Sequence, residues 1–205
     1  MLSYRTIEPH TLELLKYLMA ESYLNDCRLV GGTALALQYG HRSSVDLDVF
    51  GVVPDNDAAL HDILEGFGQV PSQATSKYIK SFIVDGIKVD FVNYSRYPWI
   101  DEVVIEDGIR LASPKDIAAM KINAIEGRGS RKDFIDIYLL LQHYSLDEIL
   151  TFYSQKYPNH SIFRALLSLT YFDDAEAESM PKMLIPTAWE EMKKHIIETA
   201  RKYQG

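Results

Sequence analysis

Residues 29–51, LVGGTALALQYGHRSSVDLDVFG, join a double glycine to an apolar helical pattern and then set two aspartates one residue apart in a hydrophobic run. Asp46 and Asp48 stand where a strand favours Val or Ile. In a strand over 45–50 both carboxylates point to one face, their Cα atoms about 6.5–7 Å apart at a rise of roughly 3.3 Å per residue. Val45, Leu47 and Val49 then face the core and hold the strand in place, so the like charges cannot swing apart. Either the face is an open, solvated side of the sheet or a cation compensates it. A magnesium or manganese ion suits the second case, because such hard ions take one or two carboxylates and complete their shell with water and phosphate oxygens.

The glycines favour the cation. Gly31 and Gly32 lie between the strand CRLV and the helix TALALQY, where a missing Cβ permits close approach and the first helical amides form an anion site. Thr33 adds a hydroxyl. Further along, IKVDFVNY alternates Lys88, Asp90 and Val92 against Val89 and Phe91. If that strand neighbours the first, Asp90 brings a third carboxylate to the same face, enough for two metal ions that share ligands.

Around this segment the chain alternates helical and strand patterns. Pro9 opens a helix with Leu12, Leu15, Leu18 and Met19 at helical spacing. A helix is predicted over 57–67, and a hairpin over SKYIKSFIVD and IKVDFVNY turns at Asp85-Gly86. EVVIEDGIRL predicts a further short strand pair. Ser113-Pro-Lys-Asp116 and Ser130-Arg-Lys-Asp133 each have the spacing of a helix capping box, with Gly127 ending the first helix. Helices over about 146–157, 160–170 and 187–202 complete the chain, with 172–186 as a loop. No internal repeat is visible.

Two charged features stand out in the helical half. Lys121 has Ile117, Ala118, Ala124 and Ile125 three and four residues away, so its stem crosses apolar surface and its ammonium must reach water or an anion. Asp133 serves the capping pattern, whereas Asp136, one helical step along, has no such reason to be there. Arg128, Arg131 and Lys132 form one basic run and Lys77, Lys80 and Lys88 another, each read as a solvated face.

Bulk properties narrow the class. The 205 residues, 47% hydrophobic and 24% charged, suit one globular body with a helical extension. The N-terminus lacks a signal-peptide pattern and no apolar run is long enough to cross a bilayer, which predicts a cytoplasmic protein without a membrane partner. Cys27 is the single cysteine, excluding an intramolecular disulfide or a cysteine-rich zinc site. A net charge of -8 disfavours nonspecific nucleic-acid binding while leaving room for a local basic groove. The six histidines show no paired ligand spacing, and only His41 is near the glycine-to-aspartate segment. Trp99 and Trp189 read as packing anchors.

A hydrophobic residue and two glycines, then thirteen residues, then Asp-Leu-Asp resembles the signature of the DNA polymerase β-type nucleotidyltransferase superfamily, with Asp90 matching its third metal-site carboxylate. GGTALALQYGHRSSVDLDVFG together with KINAIEGRGSRKDFIDIYLLL resembles the AbiEii/AbiGii toxin family of nucleotidyltransferases, over most of residues 29–141. The resemblance implies Asp46, Asp48 and Asp90 as catalytic metal ligands and Gly31, Gly32 and Thr33 as a phosphate cradle. It also implies Lys121 and Asp136 as nucleotide-site residues, with Lys132 assigned to the same set. Arg42 and Ser44 take supporting or phosphate-facing roles. The helices after residue 145 carry no motif of that family.

The expected fold is α/β (α+β): a mixed sheet flanked by helices over 1–112, then a helical bundle over 113–205 packed against it across an active-site cleft. The expected activity is transfer of a nucleoside monophosphate from a nucleoside triphosphate to a hydroxyl acceptor such as RNA or tRNA. In such a family the enzyme is the toxin of a toxin–antitoxin or phage-defence pair, with a cognate antitoxin as partner. Two other readings are a catalytically silent nucleotide-binding module working through a protein partner and a DxD glycosyltransferase. The glycine turn close upstream of the aspartates argues against the latter.

Overall fold

The computed structural model describes residues 1–53 and 56–203, and the chain divides into two compact units, Met1–Arg96 with Val103–Ala112, and Tyr97–Glu102 with Ser113–Gly205.

The first unit is built on a seven-stranded mixed sheet. Its strands are β1 (Cys27–Val30), β2 (Leu47–Gly51), β3 (Ser72–Thr75), β4 (Ile79–Val84), β5 (Ile87–Asn93), β6 (Val104–Glu106) and β7 (Ile109–Leu111), in the order β3-β4-β5-β2-β1-β7-β6. β2 runs antiparallel to β1 and parallel to β5. Alternation explains the central strands: Leu47, Val49, Val89 and Phe91 are fully buried, while Asp48 and Asp90 lie on the opposite, partly open face. The β4–β5 and β6–β7 hairpins turn on Asp-Gly. Asp85 and Gly86 have φ of 48° and 82°, Asp107 and Gly108 of 52° and 76°, the doubly left-handed turn that matches strand twist.

Two expectations change at the start of β2. The strand begins at Leu47, so Asp46 lies in the connection before it, and Val45 is 53% exposed rather than part of the core. The hydrogen bonds that pin this connection come from outside the strand pattern: Ser44 N–H donates to Thr6 O at 2.8 Å. β3, a wholly exposed edge strand, had no hydrophobic alternation to announce it.

Helices α1 (Pro9–Ala20), α2 (Gly31–Tyr39) and α3 (Asp57–Glu65) belong to this unit. α1 starts with proline at its first position and buries Leu14, Leu15, Leu18 and Met19. Arg110 on β7 ties the unit together, donating to the carbonyls of Cys27 at 2.9 Å, Met19 at 2.8 Å and Leu24 at 3.0 Å. Burial pushes the Cys27 thiol up to about 11, keeping it a neutral packing residue.

The second unit is helical: α4 (Pro114–Gly127), α5 (Arg131–Leu140), α6 (Leu146–Lys156), α7 (Ile162–Leu169), α8 (Asp173–Glu176) and α9 (Trp189–Lys202). α8 falls within the stretch expected to be a loop. α4 starts as its capping pattern predicts: Ser113 Oγ accepts from Asp116 N–H at 3.1 Å and donates to the Asp116 carboxylate at 2.7 Å. It ends on Gly127, and Gly129 supplies the left-handed residue of the turn that follows. Phe134, Phe172 and Trp189 form an aromatic cluster, with ring centroids 4.6 Å apart for Phe134–Phe172 and 5.8 Å for Phe172–Trp189.

Asp116 does more than cap. It accepts from Ile100 N–H at 2.9 Å and from the Lys156 ammonium at 2.7 Å, both side chains of that ion pair being fully buried. The same ammonium donates to Pro98 O at 2.7 Å and lies 4.5 Å from the Trp99 ring centre. α6 is thereby anchored to α4 and to residues 98–101. Removing one partner of such a pair strands the other charge in a dry interior. Lys156→Met is therefore expected to lower unfolding stability by about 3–5 kcal/mol, read as a shift in the urea midpoint.

Candidate active site

The glycine-to-aspartate segment folds into one corner of the first unit. β1 delivers the chain to Gly31, whose φ of +67° is left-handed, and α2 begins there. A Cβ on Gly31 would lie 2.4 Å from Asp48 Oδ2, so glycine is required by the backbone conformation and by the approach of the carboxylate alike. β1 and β2 make that approach possible, since Val30 is the register partner of Asp48. The arrangement favours a charged carboxylate, because the first amides of a helix lack internal partners and its dipole is positive at that end.

Asp90 completes the face. It is the direct register partner of Asp48 across the parallel β2–β5 pair, and neighbouring strands lie about 4.8 Å apart. Ser81 on β4 is its partner on the other side and donates its hydroxyl to Asp90 Oδ1. Lys88, two residues earlier on the same strand face, donates to Asp90 Oδ2. Its ammonium pKa is raised, mainly by that hydrogen bond against the opposing effect of desolvation, with Asp90, Asp48 and Asp46 all adding charge attraction. The three predicted carboxylates therefore act on one cation. In the sequence Lys88 read as part of a solvated basic run; alternation placed it on the acidic face, but only the pairing of β2 with β5 shows what it meets.

The donor set fits a hard divalent ion: three carboxylates, two in register on adjacent strands beside a helix N-terminus. Their oxygens do not all lie within 4.8 Å of one another. Among the described residues the group that does is His61, Asp62 and Glu65, on one helix face of α3, with the half-buried His61 and the exposed Glu65 3.6 Å apart.

Other predicted residues take different places. Thr33, expected in the phosphate cradle, is 1% exposed; its hydroxyl donates to the Asp46 carbonyl and lies 2.8 Å from Ser44 Oγ. With the Thr33 proton spent on Asp46, Ser44 must be the donor in that second bond. Both hydroxyls thus position the loop carrying Asp46. Arg42 is likewise interior, 2% exposed, and donates to Ser43 O at 3.0 Å, which is a supporting role. Gly32 remains partly accessible at the start of α2.

Lys121 and Asp136 lie in the second unit and meet there. The Lys121 ammonium is 2.7 Å from Asp136 and 2.8 Å from Asp133, both carboxylates fully buried. It has found its anions inside the protein rather than in solvent. Arg128 adds a bond to Asp133 at 2.9 Å. Ser130 does not cap α5 through its side chain; its hydroxyl donates to Asp133 Oδ2 at 2.9 Å. Lys132 stands exposed on the first turn of α5.

Comparisons with known proteins show the family and the fold. Residues 13–204 match the family model described as nucleotidyl transferase AbiEii toxin, Type IV TA system. The chain belongs to the AbiEii nucleotidyltransferase toxin family. The uncharacterized protein aq_aa25 of Aquifex aeolicus (strain VF5) is 34% identical over 205 residues, covering 97% of this chain and 98% of that one. The fold is that of MenT4, nucleotidyltransferase toxin Rv2826c from Mycobacterium tuberculosis H37Rv, at a TM-score of 0.62 and 13% identity, over 95% of this chain and 84% of that one. JHP933 from Helicobacter pylori matches at a TM-score of 0.55 and 18% identity, over 95% and 92% of the two chains. Among the described residues of this AbiEii-family chain, no helix is long and apolar enough to cross a membrane.

The buried triad carries a pH dependence. Desolvation pushes the Asp133 carboxyl up, but Lys121 and Arg128 outweigh it and hold the pKa at about 2, below its ordinary 3.8. A depressed carboxylate stabilises the fold above its unfolded pKa and loses that contribution as pH falls through the folded value. About 2 kcal/mol is expected to disappear between roughly pH 4 and pH 2. Asp133→Asn should flatten that part of an acid-unfolding curve followed by circular dichroism.

Proposed function

We propose that this protein transfers a nucleoside monophosphate from a nucleoside triphosphate to a hydroxyl acceptor, with Asp46, Asp48 and Asp90 as the metal-binding carboxylates. The observation that carries the reading is the in-register pairing of Asp48 with Asp90 beside the glycine-started N-terminus of α2. Magnesium or manganese held there would offset charge on the triphosphate and lower the pKa of the attacking hydroxyl.

The chain's own residues prepare that chemistry. β2 and β5 fix the spacing of Asp48 and Asp90, and the Thr33–Ser44 pair holds the loop that presents Asp46. Gly31 and Gly32, without side chains at the start of α2, let phosphate oxygens approach the first amides of the helix. Arg42 supports the loop from within. Lys121 and Asp136 are assigned to the ion triad they form, and Lys132 is left as an exposed basic group for phosphate.

The family's Type IV toxin–antitoxin setting supports action as a toxin restrained by an antitoxin, and an RNA acceptor, tRNA in particular, with action in the cytoplasm, is proposed by analogy. The test incubates purified protein with each labelled nucleoside triphosphate, magnesium and total RNA. Wild type is expected to label an RNA. Asp46→Ala and Asp48→Ala should each reduce labelling by more than about 100-fold, beyond the effect of outer-shell changes at metal sites. Labelling that survives Asp46→Ala overturns the metal assignment. Nucleotide binding without transfer to any acceptor supports instead a silent module acting through a protein partner.

A further inference from the structure

We propose that Lys88 is a built-in competitor for the metal, its ammonium holding Asp90 so that this carboxylate joins the metal site only when the incoming ion displaces the lysine. The inference rests on the metal reading above and adds to it a residue outside the ligand set.

Both oxygens of Asp90 are already engaged, Oδ1 by the Ser81 hydroxyl and Oδ2 by the Lys88 ammonium. The two donors differ in what they ask of a metal. Ser81 is neutral, and its hydroxyl can turn to solvent or remain as a bond to the outer lone pair of a ligating carboxylate. Lys88 carries a full positive charge. A divalent ion bound to Asp90 Oδ2 cannot share that oxygen's near surroundings with an ammonium, since like charges so close repel by several kcal/mol at a protein surface.

Register makes Lys88 a competitor for the whole face rather than for one group. Leu47 pairs with Val89 and Asp48 with Asp90, so Lys88, two residues before Asp90 on β5, shares the strand face of Asp90 and Asp48. The ammonium thus sits on the strand face that carries Asp48 and Asp90, neutralising part of a charge that would otherwise repel itself. Departure is permitted as well. The Lys88 side chain is 49% exposed whereas that of Asp90 is 17% exposed, so the flexible stem can move into water while the carboxylate stays in place.

The consequence is a site that stays folded and partly neutral without metal and gives up some metal affinity in return. Isothermal titration with Mn²⁺ alone tests this on wild type, Lys88→Met, Lys88→Gln and Lys88→Arg, each checked for an unchanged circular-dichroism spectrum. Loss of one competing charge should tighten Mn²⁺ binding roughly five- to tenfold in Lys88→Met and Lys88→Gln, while Lys88→Arg stays near wild type. Asp90→Asn added to Lys88→Met should cancel the gain. In wild type, Mg²⁺ should increase chemical labelling of the Lys88 amine as the ion displaces it. Equal or weaker Mn²⁺ binding in both neutral variants overturns the proposal while leaving the metal reading standing. Absence of Mn²⁺ binding in every variant overturns both.

Discussion

The candidate site depends on the approach of the Asp48 carboxylate to the Cα of Gly31. Two strands and a helix must cooperate to produce it: β1 ends at Val30, β2 carries Asp48 opposite Val30, and the Asp48 carboxylate takes the space that a side chain on Gly31, the first residue of α2, would fill. A carboxylate there gains from the unpartnered amides and the positive end of the helix, which offsets part of the cost of holding acids on one sheet face. The spacing from the glycines to Asp48 is thus a consequence of geometry: α2 runs out, Gly40 turns it in a left-handed conformation, and the loop back must reach the next strand in register.

The opposing constraint is electrostatic repulsion, and the first unit answers it with Lys88. Asp48 and Asp90 are tolerable side by side because a lysine on the strand face of Asp90 donates to its carboxylate. In the second unit the same problem has a different solution. Asp133 and Asp136 are wholly buried and gather one lysine, and Asp116 gathers another, so each charge is paired where water cannot reach it. In the half-exposed pair the lysine can move into water. The buried ones cannot exchange theirs without a large desolvation penalty, which marks them as architecture.

Membership of the AbiEii family, the alternation of β2 and β5, the Asp-Gly hairpins and the proline-started helices were all legible in the chain, because each depends on neighbours within a few residues. Val45 shows where that legibility stops. Periodicity placed it in the core, yet the strand begins two residues later, since the loop bonds of Ser44 to Thr6 and of Thr33 to the Asp46 carbonyl decide where extended pairing begins. Thr33 shows the same limit. Its hydroxyl beside a glycine turn suggested a phosphate contact, and only the fold reveals that it faces inward to the Asp46 loop.

What the sequence determined by itself was the inventory: which residues carry charge, which positions can go without a Cβ, and which strand faces are apolar. Tertiary structure decided the partners. That Asp48 stands beside Asp90, that Lys88 reaches the acids, and that Lys121 meets Asp133 and Asp136 rather than solvent are facts about strand order and helix packing. Electrostatic interactions depend on distances between groups far apart in the chain, and those distances do not exist until the sheet has chosen its register and the helices their neighbours.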